Sequence, residues 1–391
     1  MSKKFFHRPE MADFFASRIL SEKGTSGIFL AAQRRTGKST FIREDLKPLL
    51  ESKDVEVIYV DLWTDTAVDP GVLISNAIKE HLRKHKGIVS QLIHKSGLEK
   101  FSLGGLQINL EKIGVGSGET ISRAFEALSQ ESKRQIVMIV DEAQHSQNSE
   151  AGIASMFALK AARDELNSSR HYGFKLVATG SNRDKLALLV QGRDQAFLNA
   201  RMVDLPTLDK TYVQWQVSQS GLDIEPSIEV ACDAFSKMAC RPENLVDALD
   251  RLDGIMGVTN ASVDRLLMEQ VDQILQKFKK DFFRLVNSLT PLQAAVLKTM
   301  ALKGEDYAPY VQESYDLCRK FCAEQTKESV NVDSSSVAYA LESLREKALI
   351  WKSGRGVYTI EEPQTSNWLK DSMGISDAQE ELDEENPMPR G

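Results

Sequence analysis

The chain has 391 residues, a net charge of -7 and a pI near 5.6, with 42% hydrophobic and 27% charged residues. That length accommodates two or three domains of ordinary globular composition. The acidic balance excludes a protein that coats nucleic acid with its whole surface, and no apolar run approaches the roughly 20 residues of a membrane helix. Met1 to Arg8 has no apolar stretch, so no secretory signal is expected. Cys232, Cys240, Cys318 and Cys322 form no C-x-x-C pair and read as reduced thiols. His81 and His85 lack the glutamate of a zinc-protease helix and read as a solvated face.

Pro9 to Ser21 is expected to be a helix leading into a strand. The stretch I-F-L-A-A-Q-R-R-T-G-K-S-T, Ile28 to Thr40, is an apolar strand, a tight turn and the start of the helical pattern Phe41 to Leu50. This is the layout of a phosphate-binding loop. Backbone N–H groups and the positive helix end cradle the β-phosphate of a nucleoside triphosphate. Ala32, Arg34, Arg35, Thr36, Gly37, Lys38, Ser39 and Thr40 make up this loop. Lys38 reaches the β and γ oxygens, and the Ser39 hydroxyl ligates Mg²⁺. The usual pattern, G-x-x-x-x-G-K-[ST], has glycine where this chain has Ala32. The loop must therefore hold Ala32 at negative φ or accept strain. Without the preceding strand, the plain alternative is a chance G-K-S before a helix.

A second strand, Val55 to Val60, ends at Asp61, and a helix from Pro70 to Lys84 follows. Residues 98–118 combine alternation with glycines and predict a hairpin. The G-V-G-S-G within them lacks the βαβ context of a dinucleotide fingerprint. A helix from Thr120 to Ser132 feeds Q-I-V-M-I-V, Gln135 to Val140, which suits a strand buried on both faces. It ends in Asp141-Glu142-Ala143-Gln144-His145. The carboxyl end of such a strand is where ligands bind in α/β sheets. There Asp141 would hold Mg²⁺ through water, and Glu142 would orient and polarise an attacking water. A solvated strand end is the plain alternative, but the pair follows a phosphate loop by about 100 residues. A helix from Glu150 to Asn167, a strand from Phe174 to Thr179 and a short strand from Met202 to Leu205 complete the pattern. Alternating strands and helices predict an α/β fold, a parallel sheet covered on both faces.

From Asp209 to Phe283 the pattern is helical, over Thr211–Ser220, Ser227–Ala239, Pro242–Met256 and Ser262–Val286. Next come helices Pro291–Ala301, capped by Thr290, Tyr310–Glu324 and Val337–Lys347, capped by Ser334, Ser335 and Ser336. A hairpin around Lys352-Ser353-Gly354-Arg355-Gly356 follows, the pattern of a winged helix. The division expected is a P-loop core over 1–208, a helical lid over 209–286, a winged helix over 287–365 and an acidic, disordered tail over 366–391.

Through A-x-x-R-R-T-G-K-S, I-V-D-E-A-Q and K-L-V-A-T-G-S-N, and through the order core, lid, winged helix, the chain resembles the AAA+ ATPases. It looks most like the branch of origin-recognition-type initiators and archaeal-type ATPases related to STAND signalling proteins, over roughly residues 4–362. The resemblance implies ATP and Mg²⁺ as ligands, hydrolysis of the β–γ phosphoanhydride, and a homo-oligomer. It further implies that Ser181 or Asn182 is the sensor 1 residue on the attacking water or γ-phosphate. Arg201 would be a trans-acting arginine finger, with Arg193 as competitor. Arg241 would read the γ-phosphate from the lid as sensor 2, although the family more often has glycines where this chain has Ala239-Cys240. Arg8 would border the adenine. Arg34 and Arg35 are common in the archaeal-type branch, and either a neighbouring subunit or solvent is open for them. For each of these arginines a surface ion pair is the plain alternative.

A winged helix can lay its third helix in a DNA groove, with Lys347, Lys352 and Arg355 on the backbone. Against this, residues 287–362 hold nine Lys/Arg and eleven Asp/Glu, a poor balance for neutralising phosphates. Three readings share the ATPase core: one acting on DNA, a signalling or defence switch whose winged helix binds a protein effector, and a regulator of transposition or replication that loads a partner onto DNA. A cytoplasmic location is expected for all three.

Overall fold

The structure is a computed structural model, and it describes residues 5–21, 27–32, 34–84, 100–103, 106–109, 113, 121–168, 171–181, 186–190, 196–197, 200–326, 330–354 and 356–375. The chain divides into two compact units, residues 1–264 and 265–391.

The first unit is built on five parallel strands: β1 (Ile28–Ala31), β2 (Glu56–Asp61), β5 (Ile136–Asp141), β6 (Phe174–Gly180) and β7 (Arg201–Asp204). Their order is β2-β5-β6-β1-β7. β5 and β6 are buried along their whole length. Their side chains alternate between two cores, which is why Ile136 to Val140 is an unbroken apolar run and β6 is broken only by Lys175 and Thr179. Phe29, Ile136, Met138, Val140, Phe174 and Leu176 enter one core, against Ile74, Ile78 and Leu82 of α4 (Pro70–Lys84) and Phe125 and Leu128 of α5 (Ile121–Ser132). The long helix α6 (Glu150–Ser168) closes the same layer with Met156, Leu159 and Leu166. Ile28, Leu30, Val137, Ile139 and Val177 enter the other core. There they meet Ala12, Phe15, Ala16 and Ile19 of α1 (Pro9–Leu20), at the helical spacing that brings one stripe inward.

The helix after the phosphate loop begins as α2 (Lys38–Phe41), passes through a π-helical turn (Ile42–Leu46) and continues as α3 (Lys47–Ser52). Phe41, Ile42, Leu46 and Leu50 seal it to the sheet. A separate antiparallel pair, β3 (Lys100–Leu103) and β4 (Leu106–Asn109), falls within the segment expected to form a hairpin. Among the described residues the unit also holds the helices α7 (Lys210–Gln219), α8 (Ile228–Lys237) and α9 (Pro242–Asp253).

In the second unit the end of α10 (Val263–Asn287) packs with α11 (Pro291–Lys303), α12 (Gln312–Gln325), α13 (Ser334–Glu346) and the antiparallel pair β8 (Ile350–Gly354) and β9 (Val357–Ile360). Thr290 caps α11 in a capping box with Gln293. Two expectations need correction here. The cap of α13 is Asp333, whose carboxylate accepts from the backbone N–H of Ser336 at 2.8 Å, so Ser334 to Ser336 form the first turn instead of the cap. The tail does not begin at residue 366. A last helix, α14 (Pro363–Ser372), buries Leu369, and Trp368 lies 5.8 Å from Phe282, because two large apolar side chains outweigh the acidic composition around them. Residues 376–391 of the expected tail lie outside the described residues.

Candidate active site

The phosphate loop leaves the carboxyl end of β1, between β6 and β7. Ala32 donates its N–H to the Gly180 carbonyl at 3.0 Å and is not among the described residues with positive φ. The loop therefore accommodates its missing glycine without left-handed strain at that position. The turn is made later, where Arg35 takes φ 62° and Gly37 takes φ 81°. Thr36 and Lys38 are buried, with 4% exposure each.

Lys38 is the centre of the site. Its ammonium group forms short ion pairs with Asp141 and, at 2.9 Å, with Oε1 of Glu142. It also donates to Thr179 Oγ1 at 3.1 Å, and Thr179 in turn donates to Asp141. Tyr59 donates to the other Asp141 oxygen at 3.1 Å. Asp141 is fully buried. Burial alone would raise its pKa, but the Lys38 charge and hydrogen bonds from Lys38, Thr179 and Ser39 outweigh burial and hold it below the ordinary value. Glu142 behaves alike: burial is opposed and exceeded by Lys38 and by hydrogen bonds from Gln144 and Ser181. Tyr59 is pushed the other way, by burial and then by the charges of Asp141 and Asp61, and stays a hydrogen-bond donor.

Glu142 sits at φ 54°, so the chain turns sharply after β5. Its Oε2 accepts from the Gln144 amide at 2.6 Å and from the Ser181 backbone N–H at 3.2 Å. Gln144 also donates to the Ser181 hydroxyl at 3.3 Å. Gly180 makes this possible, since a Cβ there would stand 2.7 Å from the Gln144 side-chain oxygen. Arg34 donates to the Ser181 hydroxyl at 3.4 Å, and its guanidinium lies 5.5 Å from the Trp63 ring centre. Arg34, Arg35, Gly37, Lys38, Ser39, Thr40, Trp63, Glu142 and Ser181 line a cleft of ≈ 410 Å³.

A second cavity, of ≈ 330 Å³, shares Arg35, Gly37 and Thr40 with the first. Its other walls are Phe5, Phe6 and Arg8 before α1, Leu208, Tyr212, Trp215 and Gln216 around α7, and Pro242 and Glu243 of α9. Phe6 lies 5.5 Å from Tyr212 and 5.6 Å from Trp215. Arg8 donates to the Gly37 carbonyl at 2.8 Å, lies 4.7 Å from the Phe41 ring centre and has a buried Nη1 without a hydrogen-bond partner. Burial lowers its pKa, against the raising charge of Asp45. Arg35 pairs with Glu243 at 3.0 Å, an exposed contact.

The remaining sequence candidates lie elsewhere. Arg201 opens β7 and stands beside Ile28, at the end of the sheet away from the phosphate loop, and it is exposed. Arg241 is the residue before α9 and follows Ala239 and Cys240, which take φ 57° and 51°. The backbone thus keeps at Ala239-Cys240 the left-handed turn that glycines would make freely. Lys347 is exposed after α13. Asn182, Arg193 and Arg355 lie outside the described residues, as does the side chain of Lys352. Sequence reasoning missed Tyr59, Thr179, Gln144, Trp63, Phe6, Tyr212 and Trp215. Gln144 and Thr179 stand inside the very motifs D-E-A-Q and A-T-G-S-N and were the ones a closer look could have found.

No protein-family model matches the chain, and no curated protein matches it in sequence. Solved structures do. A Walker-type ATPase of Pyrococcus abyssi is 17% identical, with a TM-score of 0.54 over 94% of this chain and 96% of the other. The ORC2 protein of Aeropyrum pernix in its ADP form is 13% identical, with a TM-score of 0.56 over 95% of this chain and 97% of the other. The same protein in its ADPNP–ADP complexes gives 12% identity and a TM-score of 0.53, over 95% and 98% of the two chains. At these identities the likeness is one of fold, and the chain has the fold of an origin-recognition-like AAA+ P-loop ATPase.

Proposed function

We propose that the chain binds and hydrolyses ATP, and that its nucleotide state controls oligomerisation and the engagement of a DNA or protein partner. The carrying observation is the buried Lys38, which joins the phosphate loop to Asp141, Glu142 and Thr179 at the carboxyl edge of the sheet. The origin-recognition structures with ADP and ADPNP support an adenine nucleotide.

The triphosphate lies over the loop, with its β-phosphate on the backbone N–H groups at the start of α2. Lys38 turns from the carboxylates to the β and γ oxygens. Ser39 and, through water, Asp141 are the residues suited to Mg²⁺, which when bound neutralises charge across those oxygens. Gln144 and the Ser181 N–H hold Oε2 of Glu142, leaving Oε1, the oxygen that faces Lys38, to accept a proton. Water attacks the γ-phosphorus, its proton passes to Glu142, and the bridging bond breaks with its electron pair leaving on ADP. The base stands among Phe6, Tyr212 and Trp215, with Arg8 at its border. Arg201, at the far end of its own sheet, serves a neighbouring subunit, and Arg241 reads the γ-phosphate from the lid. In the second unit α11, α12, α13 and the β8–β9 pair act as a winged helix, and the protein works in the cytoplasm. No described helix is long and apolar enough to cross a membrane.

One observation favours a protein partner over DNA: the acidic balance of residues 287–362. The test is Glu142→Gln, which should keep ATP binding and lower turnover by about 10²–10⁴-fold. Normal turnover removes Glu142 as the base. Light scattering of this variant with ATP–Mg²⁺ should show a larger mass without DNA. Assembly only with a DNA duplex would reverse the choice of partner.

A further inference from the structure

We propose that Arg34 is a γ-phosphoryl ligand supplied by the chain's own phosphate loop, and that its movement onto that group uncovers Trp63. This rests on the ATP reading above and adds a residue to it.

Three observations converge on Arg34. It lines the same cleft as Lys38, Ser39, Glu142 and Ser181. It donates to the Ser181 hydroxyl at 3.4 Å, and that hydroxyl also accepts from Gln144, the residue holding Glu142. Its guanidinium stands 5.5 Å from Trp63, whose ring lies 4.3 Å from that of His145 just beyond the acid pair. The contact to Ser181 is long and its acceptor neutral. A phosphate oxygen offers charge-assisted hydrogen bonds at roughly 2.7–2.9 Å, with a geometry that suits the guanidinium fork. A triphosphate in the cleft therefore draws Arg34 from Ser181 and Trp63 onto its terminal group. There the guanidinium stabilises charge on the transferring phosphoryl group. ADP lacks that group and leaves Arg34 where it is. Trp63 is half exposed, so its emission reports the change.

The experiment is tryptophan emission of the full chain titrated with Mg²⁺ and either ADP or a non-hydrolysable ATP analogue, alongside ATPase kinetics. The analogue should change the emission and ADP should leave it nearly unchanged, with the difference lost in Trp63→Phe and in Arg34→Ala. Arg34→Ala should lower kcat by about 100-fold and change KM by no more than about threefold, and Arg34→Lys should recover part of kcat. Parent-like kcat in Arg34→Ala, or equal emission changes with ADP and analogue, overturns the proposal. So does a slowing that Ser181→Ala reproduces in full and the double variant does not deepen, because Arg34 would then only position Ser181. If the parent binds no nucleotide by calorimetry, the ATP reading itself fails. Binding with a silent Trp63 sinks Arg34 alone.

Discussion

The cavity proposed for the phosphates and the one proposed for the base are built on opposite plans. At the phosphate end, charged groups meet one another inside the protein: Lys38 faces Asp141 and Glu142, and Thr179, Tyr59, Gln144 and Ser181 hold the two carboxylates. At the base end, the rings of Phe5, Phe6, Tyr212 and Trp215 with Leu208 and Pro242 make much of the wall, and the Nη1 of Arg8 is buried without a partner. Recognising a phosphate requires particular donors at particular spacings. A base offers a π-face that any aromatic ring accepts. The first plan therefore leaves a contiguous motif, and the second gathers residues 5–8, 208–216 and 242–243 with no pattern that links them.

The comparison breaks most sharply at Lys38. Lys38→Ala should weaken binding of ATP and of inorganic tripolyphosphate alike, by roughly 100-fold or more, since charge-assisted bonds to phosphate are lost. Calorimetry that finds ATP affinity intact would move the phosphates elsewhere. Trp215→Ala sharpens the contrast from the other side. It should cost about 1–3 kcal/mol in ATP affinity, the scale of one base stack, and leave tripolyphosphate untouched. An equal loss for both ligands would detach the base from this cavity.

Acid unfolding probes the phosphate end without ligand. Asp141 and Glu142 have lowered folded-state pKa values, against ordinary values of 3.8 and 4.5. Their contribution to stability is therefore complete above the ordinary carboxylate range and is lost as pH falls through the lower folded values. In Lys38→Ala burial is unopposed and raises both folded values, so the ionised pair destabilises the fold at neutral pH and protonation relieves that cost. Urea unfolding followed by circular dichroism should show stability falling as pH is lowered in the parent and falling less, or rising, in the variant. The same pH dependence in both would mean that Lys38 does not set the two carboxylates. The smallest effect lies next to the base end. Ala239→Gly relieves a left-handed alanine but loosens the unfolded chain, for a net gain of about 0.5–1 kcal/mol in urea unfolding. A loss of stability would show that the Ala239 methyl packs usefully.

Much of the core was legible because β5 and β6 are covered on both faces, so that β5 is apolar from Ile136 to Val140 and β6 is interrupted only by Lys175 and Thr179. β7 was harder. It is an edge strand with both terminal residues exposed, and it starts at Arg201, one residue before the apolar stretch that suggested it. Asp333 was overlooked as a cap because three serines follow it and each is an equally good candidate on composition. In the site, the convergence of Lys38 with Asp141 and Glu142 follows from two motifs. The roles of Thr179 and Tyr59 do not, because they depend on which strands are neighbours: β5 lies between β6, which carries Thr179, and β2, which carries Tyr59. No local pattern carries that information.

The pairing of Lys38 with the acid pair has a calorimetric consequence. Both carboxylates are already ionised at neutral pH before any ligand arrives, so neither must shed a proton to receive a divalent cation. The exchange at this end of the cleft swaps one counter-charge for another, with the proton inventory unchanged. The binding enthalpy of Mg²⁺–nucleotide should then be the same in buffers of widely different ionisation heat.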